Sequence, residues 1–324
     1  MWSVWVGLVA AALVAGCEGR SPTGQDGAPA LEMRVIPDAR RPDLGQRDFP
    51  PGTRELVVSR LVLPDINTAG HLGHDYDMDG AIDNALGALL GGISSMGIDL
   101  QQALDDSVNA GATLLLLRLL AASFVDDPGA SARTWLAEAQ SCCSTPQSSS
   151  QCAAQAKATC FNGTHTFKPD PTDPQGSLLP GAITGGKFVF GPATMKLALP
   201  IGGTVPLTLT LKAAYLEGML SGATVSDGVL AGTLSLAELQ STLIPALALM
   251  LNAQLKDPGT DPQVKNILMS LFDANGDGSI SLSETANNSV IKTFLGGDVD
   301  VDNDGVKELS LGLRFETVRA LITP

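Results

Sequence analysis

The segment Leu207-Thr208-Leu209-Thr210-Leu211-Lys212 alternates apolar and polar residues with a period of two. This period predicts a β-strand that buries one face and exposes the other to solvent. Similar short runs at residues 187–190, 194–199 and 215–220 are separated by Gly and Pro. Several short strands with regular turn signals are typical of antiparallel sandwiches and barrels. The sequence therefore predicts an α+β fold class with an antiparallel β-sandwich-like core.

Helical patterns flank the predicted sheet. Residues 83–97, 100–109 and 236–255 carry apolar residues at helical spacing, and Pro245 predicts a kink or a break in the last of them. The apolar run 113–122 fits either a buried strand or a short core helix, and the strand is favoured because a Gly precedes it. We therefore expect peripheral helices around the sheet.

The N-terminus has the features of an export signal. Residues 2–15 form an uncharged apolar run that is too short to span a membrane comfortably. The segment Val14-Ala15-Gly16-Cys17 resembles the lipobox of bacterial lipoproteins, although no Lys or Arg precedes the apolar run. The resemblance implies cleavage before Cys17, lipidation of Cys17, a membrane partner through the lipid anchor, and location in the bacterial cell envelope. An ordinary cleaved signal peptide with an incidental cysteine is the alternative.

Composition divides the chain into four segments. Residues 1–16 are the predicted signal peptide, and residues 17–54 are a flexible tether because they are rich in Pro, Gly, Asp and Arg. Residues 55–235 form the predicted disulfide-containing body. Residues 236–324 contain a helix, two acidic loops and a closing strand, and they belong either to the same domain or to a second one.

The charge balance excludes one class of partner. The chain has 34 Asp and Glu against 20 Lys and Arg, a formal net charge of −14. Such a chain repels a phosphate backbone, so no nucleic-acid partner is expected. Because the acids are concentrated in a few short loops, cation binding is the favoured explanation of the acidity.

The cysteines support export. Apart from Cys17, the chain contains Cys142, Cys143, Cys152 and Cys160. An even, clustered set in an exported chain predicts two disulfides. A bridge between the adjacent pair would be strained, so each of its members is expected to join either Cys152 or Cys160. A zinc site is the alternative, but the CxxC-like spacing that it requires is missing.

The segment 273–284 reads Asp-Ala-Asn-Gly-Asp-Gly-Ser-Ile-Ser-Leu-Ser-Glu and carries oxygen ligands at fixed spacing. It resembles the EF-hand family over about residues 261–295, including apolar helical stripes on both sides of the loop. The resemblance implies one EF-hand helix pair around a bound Ca²⁺. The implied ligands at positions 1, 3, 5, 7, 9 and 12 are Asp273, Asn275, Asp277, the carbonyl of Ser279, Ser281 and Glu284.

Two further acidic loops, 75–83 and 300–308, align with each other without gaps. They resemble the DxDxDG calcium loops of thrombospondin type 3 repeats, with Leu in place of Glu at position 12. The implied ligands at positions 1, 3, 5, 7 and 9 are Asp75, Asp77, Asp79, Ala81 and Asp83 in the first loop, and Asp300, Asp302, Asp304, Val306 and Glu308 in the second. Asp298 is a candidate for the missing ligand of the second loop. Solvated acidic turns are the alternative.

These patterns predict a lipid-tethered calcium-binding protein with a structural, adhesive or ligand-display role. No HExxH, GxSxG or phosphate-loop motif is present, and His71 and His74 form at most a loose metal patch. A calcium-supported secreted hydrolase and a carbohydrate-binding module are the alternatives, and the low aromatic content of 4 % disfavours the module. Because the two related loops lie near opposite ends of the body, the first and last strands are expected to pair.

Overall fold

The structure is a computed structural model that describes residues 52–65, 67–144, 148–201 and 206–323. The chain divides into a unit Met1–Arg47 and a unit Asp48–Pro324, and every described residue belongs to the second unit. The predicted signal peptide, the predicted lipidation site Cys17 and nearly all of the predicted tether lie outside the described residues.

Eight strands form one closed antiparallel barrel. These eight are among the eleven strands of the described chain, which are β1 (Thr53–Val62), β2 (Leu115–Leu120), β3 (Ser131–Leu136), β4 (Thr166–Phe167), β5 (Ser177–Thr184), β6 (Lys187–Leu199), β7 (Leu207–Ser221), β8 (Thr224–Val225), β9 (Gly228–Leu234), β10 (Leu309–Arg319) and β11 (Leu321–Ile322). The sheet order is β6-β5-β3-β2-β1-β10-β9-β7, and pairing of β6 with β7 closes it. β8 extends the end of β7, and β4 pairs with β11 in a small separate sheet.

The predicted sandwich-like core is therefore wrong. β6 and β7 would be the two edge strands of an open sheet, but they pair with each other along their length, from Lys187 opposite Met219 to Leu199 opposite Leu207. The predicted runs 187–190 and 194–199 are parts of one long strand, β6, although Gly, Pro and Ala separate them in the sequence. The runs 207–212 and 215–220 are likewise parts of β7. Their interruptions are irregularities of the β6–β7 register, and Ala213 adopts a left-handed backbone with φ 42°. Such bulges bend and twist strands, which lets a sheet close on itself.

The first and last long strands are neighbours in the barrel, as expected. β1 runs antiparallel to β10, with Leu56 opposite Arg319 and Val62 opposite Arg314. β1 also pairs with β2, from Thr53 opposite Leu120. The run 113–122, which was ambiguous, thus contains a barrel strand.

Apolar side chains fill the barrel. Each of the eight barrel strands places at least one buried side chain on the inward face. Examples, in order around the barrel, are Leu56, Leu117, Ala132, Leu179, Phe190, Leu216, Leu230 and Leu313. We call the end where β1 begins and β10 finishes the lower end. It also carries the β2–β3 connection and the β5–β6 hairpin, whereas the helices are inserted at the upper end.

Seven α-helices lie between the strands of the described chain. They are α1 (Ala85–Ser95), α2 (Leu100–Ala110), α3 (Ser149–Ala158), α4 (Leu236–Lys256), α5 (Pro262–Phe272), α6 (Leu282–Asn287) and α7 (Ser289–Leu295). The predicted break of α4 at Pro245 is absent, because the helix widens to a π-turn at Leu239–Leu243. There the Ile244 N–H donates to the Leu239 carbonyl five residues earlier. The Pro follows in the first turn of the resumed α-helix, where an N–H is dispensable.

The predicted EF-hand helix pair is also wrong. α5 precedes the acidic loop, but the helix after it ends at Asn287 after six residues. Asn288 leaves the helical conformation, with φ −57° and ψ 135°, and its side chain accepts from the Val290 N–H at 2.9 Å. The apolar stripe that predicted one long second helix therefore spans two short helices separated by an Asn cap.

Two disulfides close the loop that contains α3. Cys142 bonds to Cys160, and Cys143 bonds to Cys152. Each member of the adjacent pair thus joins one of the two distal cysteines, as predicted. All four side chains are buried, so the bridges are structural rather than reactive.

Candidate metal sites

The first acidic loop, here the Asp75 loop (residues 75–83), gathers three carboxylates. Oxygens of Asp75, Asp77 and Asp83 lie within 4.8 Å of one another. Asp75 also accepts hydrogen bonds from the backbone N–H groups of the fifth and sixth loop residues, at 3.2 and 3.0 Å. These bonds fold the loop around its first carboxylate.

The second acidic loop, here the Asp300 loop (residues 300–308), repeats this arrangement. Oxygens of Asp300, Asp302 and Asp304 lie within 4.8 Å of one another. Asp300 accepts from the fifth and sixth backbone N–H groups at 3.1 and 3.0 Å. Position four is left-handed in both loops, with φ 59° at Met78 and 57° at Asn303. The repeated sequence pattern therefore produces a repeated backbone conformation.

The Asp273 loop (residues 273–284) has the same start and a more complete end. Asp273 accepts from the fifth and sixth N–H groups at 3.2 and 2.9 Å, and position four is again left-handed, at Gly276. Glu284 reaches back across the loop, accepting from the Asn275 N–H at 3.1 Å and the Ser281 N–H at 2.9 Å. The twelfth residue thus closes this loop.

The later positions differ between the two shorter loops. In the Asp75 loop, Asp83 at position nine belongs to the carboxylate cluster and also accepts from the N–H of the second loop residue at 2.7 Å. Asp79 at position five is not part of that cluster and accepts from the Ala81 N–H. In the Asp300 loop the fifth position belongs to the cluster instead. There Glu308 at position nine lies 3.5 Å from the Lys212 ammonium.

The remaining predicted ligands occupy the following places. At position seven, the N–H of Val306 donates to Asp304 at 2.7 Å and that of Ser279 donates to Asp277 at 2.9 Å. Both carboxylate oxygens of Asp298 accept from Ser310, one from its N–H at 2.8 Å and the other from its hydroxyl. Asp298 therefore ties the entry of the Asp300 loop to β10.

Electrostatics differ among the loops. Burial raises the pKa of Asp83, and the charges of Asp77 and Asp298 raise it further against a hydrogen bond that lowers it. Hydrogen bonds from Ser279 lower the pKa of Asp277, and those from Ser281 lower the pKa of Glu284. The Asp75 loop therefore holds repulsion that a cation would relieve, whereas the Asp273 loop stabilises its carboxylates with its own donors.

A buried Asn anchors the Asp75 loop to the barrel wall. The Asn84 amide nitrogen donates to the carbonyls of Leu72 and Gly312, at 2.6 and 3.0 Å. Its amide oxygen accepts from the Gly312 N–H at 2.7 Å and from the Gly87 N–H at 3.0 Å, which caps α1. One side chain thus joins the loop, the first helix and β10.

Two further side chains, those of His74 and Tyr76, fix the start of the loop to β7. The His74 ring stacks on Tyr215 with 3.8 Å between centroids, and its Nδ1 lies 3.0 Å from Glu217. The Tyr76 hydroxyl donates to the Ala213 carbonyl at 3.1 Å, and burial raises the pKa of Tyr76. Sequence reasoning missed this cluster, because nothing in the sequence links residue 74 with a strand about 140 positions later.

His71 and His74 do not form a metal patch in the described chain. His74 faces Glu217 instead, and the candidate metal-ligand groups found in the described chain contain only aspartates.

The candidate ligand atoms of the three loops suit a hard cation. All of them are carboxylate, amide, hydroxyl or carbonyl oxygens, the ligands that a hard divalent cation prefers. The glycines at position six, Gly80, Gly278 and Gly305, have positive φ and no neighbouring atom that a Cβ would meet. The residues present therefore fit calcium.

A cleft of about 420 Å³ lies between β1, α2 and α3. Its charged lining consists of Arg60 and Asp105, and burial raises the pKa of Asp105. A glycosidase requires two carboxyl groups facing one another. With a single carboxylate, this cleft gives the hydrolase alternative no support.

Compared with protein-family models, with curated proteins and with solved structures, the chain shows no significant match to any of them.

Proposed function

We propose that this chain is a calcium-binding protein of the bacterial cell envelope, in which calcium stabilises loops on a closed barrel for a structural, adhesive or ligand-display role. The observation that carries the proposal is the arrangement shared by the Asp75, Asp273 and Asp300 loops. In each, the first carboxylate accepts two backbone N–H bonds, and in the Asp75 and Asp300 loops two further carboxylates have oxygens within 4.8 Å of it. Clustered carboxylates repel one another unless a cation lies between them.

The loops have different parts in this proposal. The Asp273 loop has ligands up to Glu284 and is closed by its own hydrogen bonds, so it binds calcium without help from the barrel. The Asp75 and Asp300 loops lack a carboxylate at position 12 and are anchored to β7 and β10. Calcium in these two loops stabilises the fold, because an ion that binds only the folded chain shifts the folding equilibrium.

Calcium is expected to raise the melting temperature, and chelation to lower it. An ion at a hundredfold excess over its Kd contributes about 2.7 kcal/mol per site. Extracellular calcium modules bind with Kd of about 10⁻⁴–10⁻³ M. Calorimetric titration and thermal melts of wild type, Glu284→Gln, Asp77→Ala and Asp302→Ala measure the three sites separately. Glu284→Gln should weaken one site with little loss of stability, whereas the other two variants should lower the calcium-dependent melting temperature.

The matched control is Asp227→Asn, which removes an exposed carboxylate that pairs with Arg314 outside the loops. It should titrate like the wild type. No calcium uptake by the wild type at millimolar concentration would contradict the proposal. So would a Glu284→Gln titration identical to that of the wild type.

We further propose that the chain is attached to a membrane through a lipid on Cys17. The support is the lipobox-like segment that ends at this residue, together with two disulfides, which form in oxidising compartments. Metabolic labelling with a fatty-acid analogue should mark the wild type and leave Cys17→Ser unlabelled. Equal labelling of the two chains would show that the lipid is elsewhere.

A further inference from the structure

Two arginines point into the lower end of the barrel. Arg54 lies opposite Leu119 on the β1–β2 ladder, and Arg319 lies opposite Leu56 on the β1–β10 ladder. Leu119 lies opposite Ala132, which lies opposite Leu179 on the buried face of β5, and Leu56 is two residues from Arg54 on β1, so both arginine side chains are on the inward face. The Arg54 guanidinium carbon lies 4.4 Å from the centre of the Phe124 ring, in the β2–β3 connection.

The Arg54 side chain contains a buried donor without a partner. Within the described chain its Nε is buried and makes no hydrogen bond. A buried N–H without an acceptor is rare in folded proteins and costs about 1–3 kcal/mol. Burial, followed by the charge of Arg319, lowers the pKa of Arg54 from its ordinary value near 12.5. A guanidinium stays protonated in proteins, so the charge of Arg54 and the nearby charge of Arg319 repel each other.

The carboxylates that the structure describes near the lower end have other partners. Asp126 accepts from the Gly185 N–H at 2.8 Å, and Asp127 accepts from backbone N–H groups of its own connection. Glu55 belongs to the opposite face of β1, where it pairs with Arg118 at 2.6 Å. These described acids therefore leave the Arg54 guanidinium without a carboxylate partner, although the chain as a whole has a net charge of −14.

We infer that the lower end of the barrel binds an oxyanion, a carboxylate or a phosphate group, that accepts from the Arg54 guanidinium beside Arg319. A planar guanidinium presents two parallel N–H donors that match the oxygens of either group. Arg319 lies beside the site on the same face, and Phe124 holds the Arg54 plane in place. The site is at the opposite end from the inserted helices, and its ligand has the opposite charge to calcium.

The anion has two possible sources, a small molecule in solution or the headgroup phosphate of a lipid. Acetate and dimethyl phosphate are suitable soluble probes, and the second does not precipitate calcium. Vesicles of phosphatidylglycerol test the lipid source, with binding measured by co-sedimentation.

The test compares melting temperatures of the calcium-loaded full chain in either probe with those in sodium chloride of equal ionic strength. The wild type should show a saturable rise. Arg54→Gln should weaken binding about tenfold to a hundredfold, because a hydrogen bond to a charged group is lost. Arg54→Lys keeps the charge without the paired donors, and should bind more weakly than the wild type. Arg314→Gln, an exposed arginine on the outer face of β10, is the matched control and should behave like the wild type.

One result separates a binding site from a merely structural arginine. Without the probe, Arg54→Gln should melt at or above the wild-type temperature, since the repulsion and the unpaired donor are removed. Vesicle binding that depends on Arg54, with no response to the soluble probes, would identify the headgroup as the source. Equal responses of wild type and Arg54→Gln to all probes, or no response of the wild type to any, would overturn the inference. Neither result depends on whether the acidic loops bind calcium as proposed.

Discussion

Replacing Asn84 with Ala should destabilise the protein by about 3–5 kcal/mol, because four buried backbone groups lose their partner at about 1–3 kcal/mol each. Asn84 is 6 % exposed and makes four hydrogen bonds of 2.6–3.0 Å. Some of this cost is recovered by relaxation of the loop, so the individual costs do not add fully. Urea denaturation gives the change as a shift of the unfolding midpoint.

The matched control is Asn266→Ala, at an exposed position of α5. It removes the same amide from a helix surface and should change stability by no more than about 0.5 kcal/mol. Asn84→Ala should also weaken calcium binding at the Asp75 loop, because the loop loses its attachment to β10. A midpoint for Asn84→Ala within error of the control would show that the anchor is dispensable.

Gly312→Ala should separate the Asp75 loop from the barrel wall. A Cβ at this position would lie 2.5 Å from the Gly73 Cα and 2.7 Å from the Leu72 carbonyl carbon. Both contacts are with backbone, so no side chain can rotate away to relieve them. Overpacking of this kind costs about 1–3 kcal/mol. We expect a loss of stability in that range and weaker calcium binding at the Asp75 loop, with the Asp273 loop unaffected.

Gly92→Ala is the control for this substitution. Gly92 lies in α1, and a Cβ there meets no atom within 4 Å. Because Ala has the higher helix propensity, this variant should be more stable by about 0.5–1 kcal/mol. Similar melting temperatures for the two variants would contradict the close approach of the loop to β10.

Strands whose residues alternate between apolar and polar could be predicted from the sequence, whereas the closure of the sheet into a barrel could not. Residues 207–212 and 309–315 alternate because one face of each strand packs inside the barrel. β9 lacks this signal, since Gly228 and Gly232 fill positions where a Cβ would press on Phe315 or Leu211. Such glycines indicate a close neighbour only after the neighbour is known. Closure by β6 and β7 depends on bulges that look like strand ends in the sequence.

The acidic loops show the same division. Their carboxylates could be predicted to cluster because the ligand spacing is local, within twelve residues. Their anchors could not, because Asn84 and Gly312 are 228 positions apart, and His74 and Glu217 are 143 apart. Local spacing thus predicted that the carboxylates of the Asp75 and Asp300 loops lie close together. Only the fold shows what holds them in place.

The pairing of β1 with β10 sets the order in which the barrel can form. Ser59 and Glu316, which are in contact across these strands, are 257 positions apart, so nearly the whole described chain is one loop closed by this pairing. When the chain is made or exported N-terminus first, one edge of β1 stays unpaired until the last barrel strand is available. High contact order of this kind slows folding and prolongs exposure of an open strand edge. The barrel therefore closes only after synthesis, or transport across a membrane, has delivered β10.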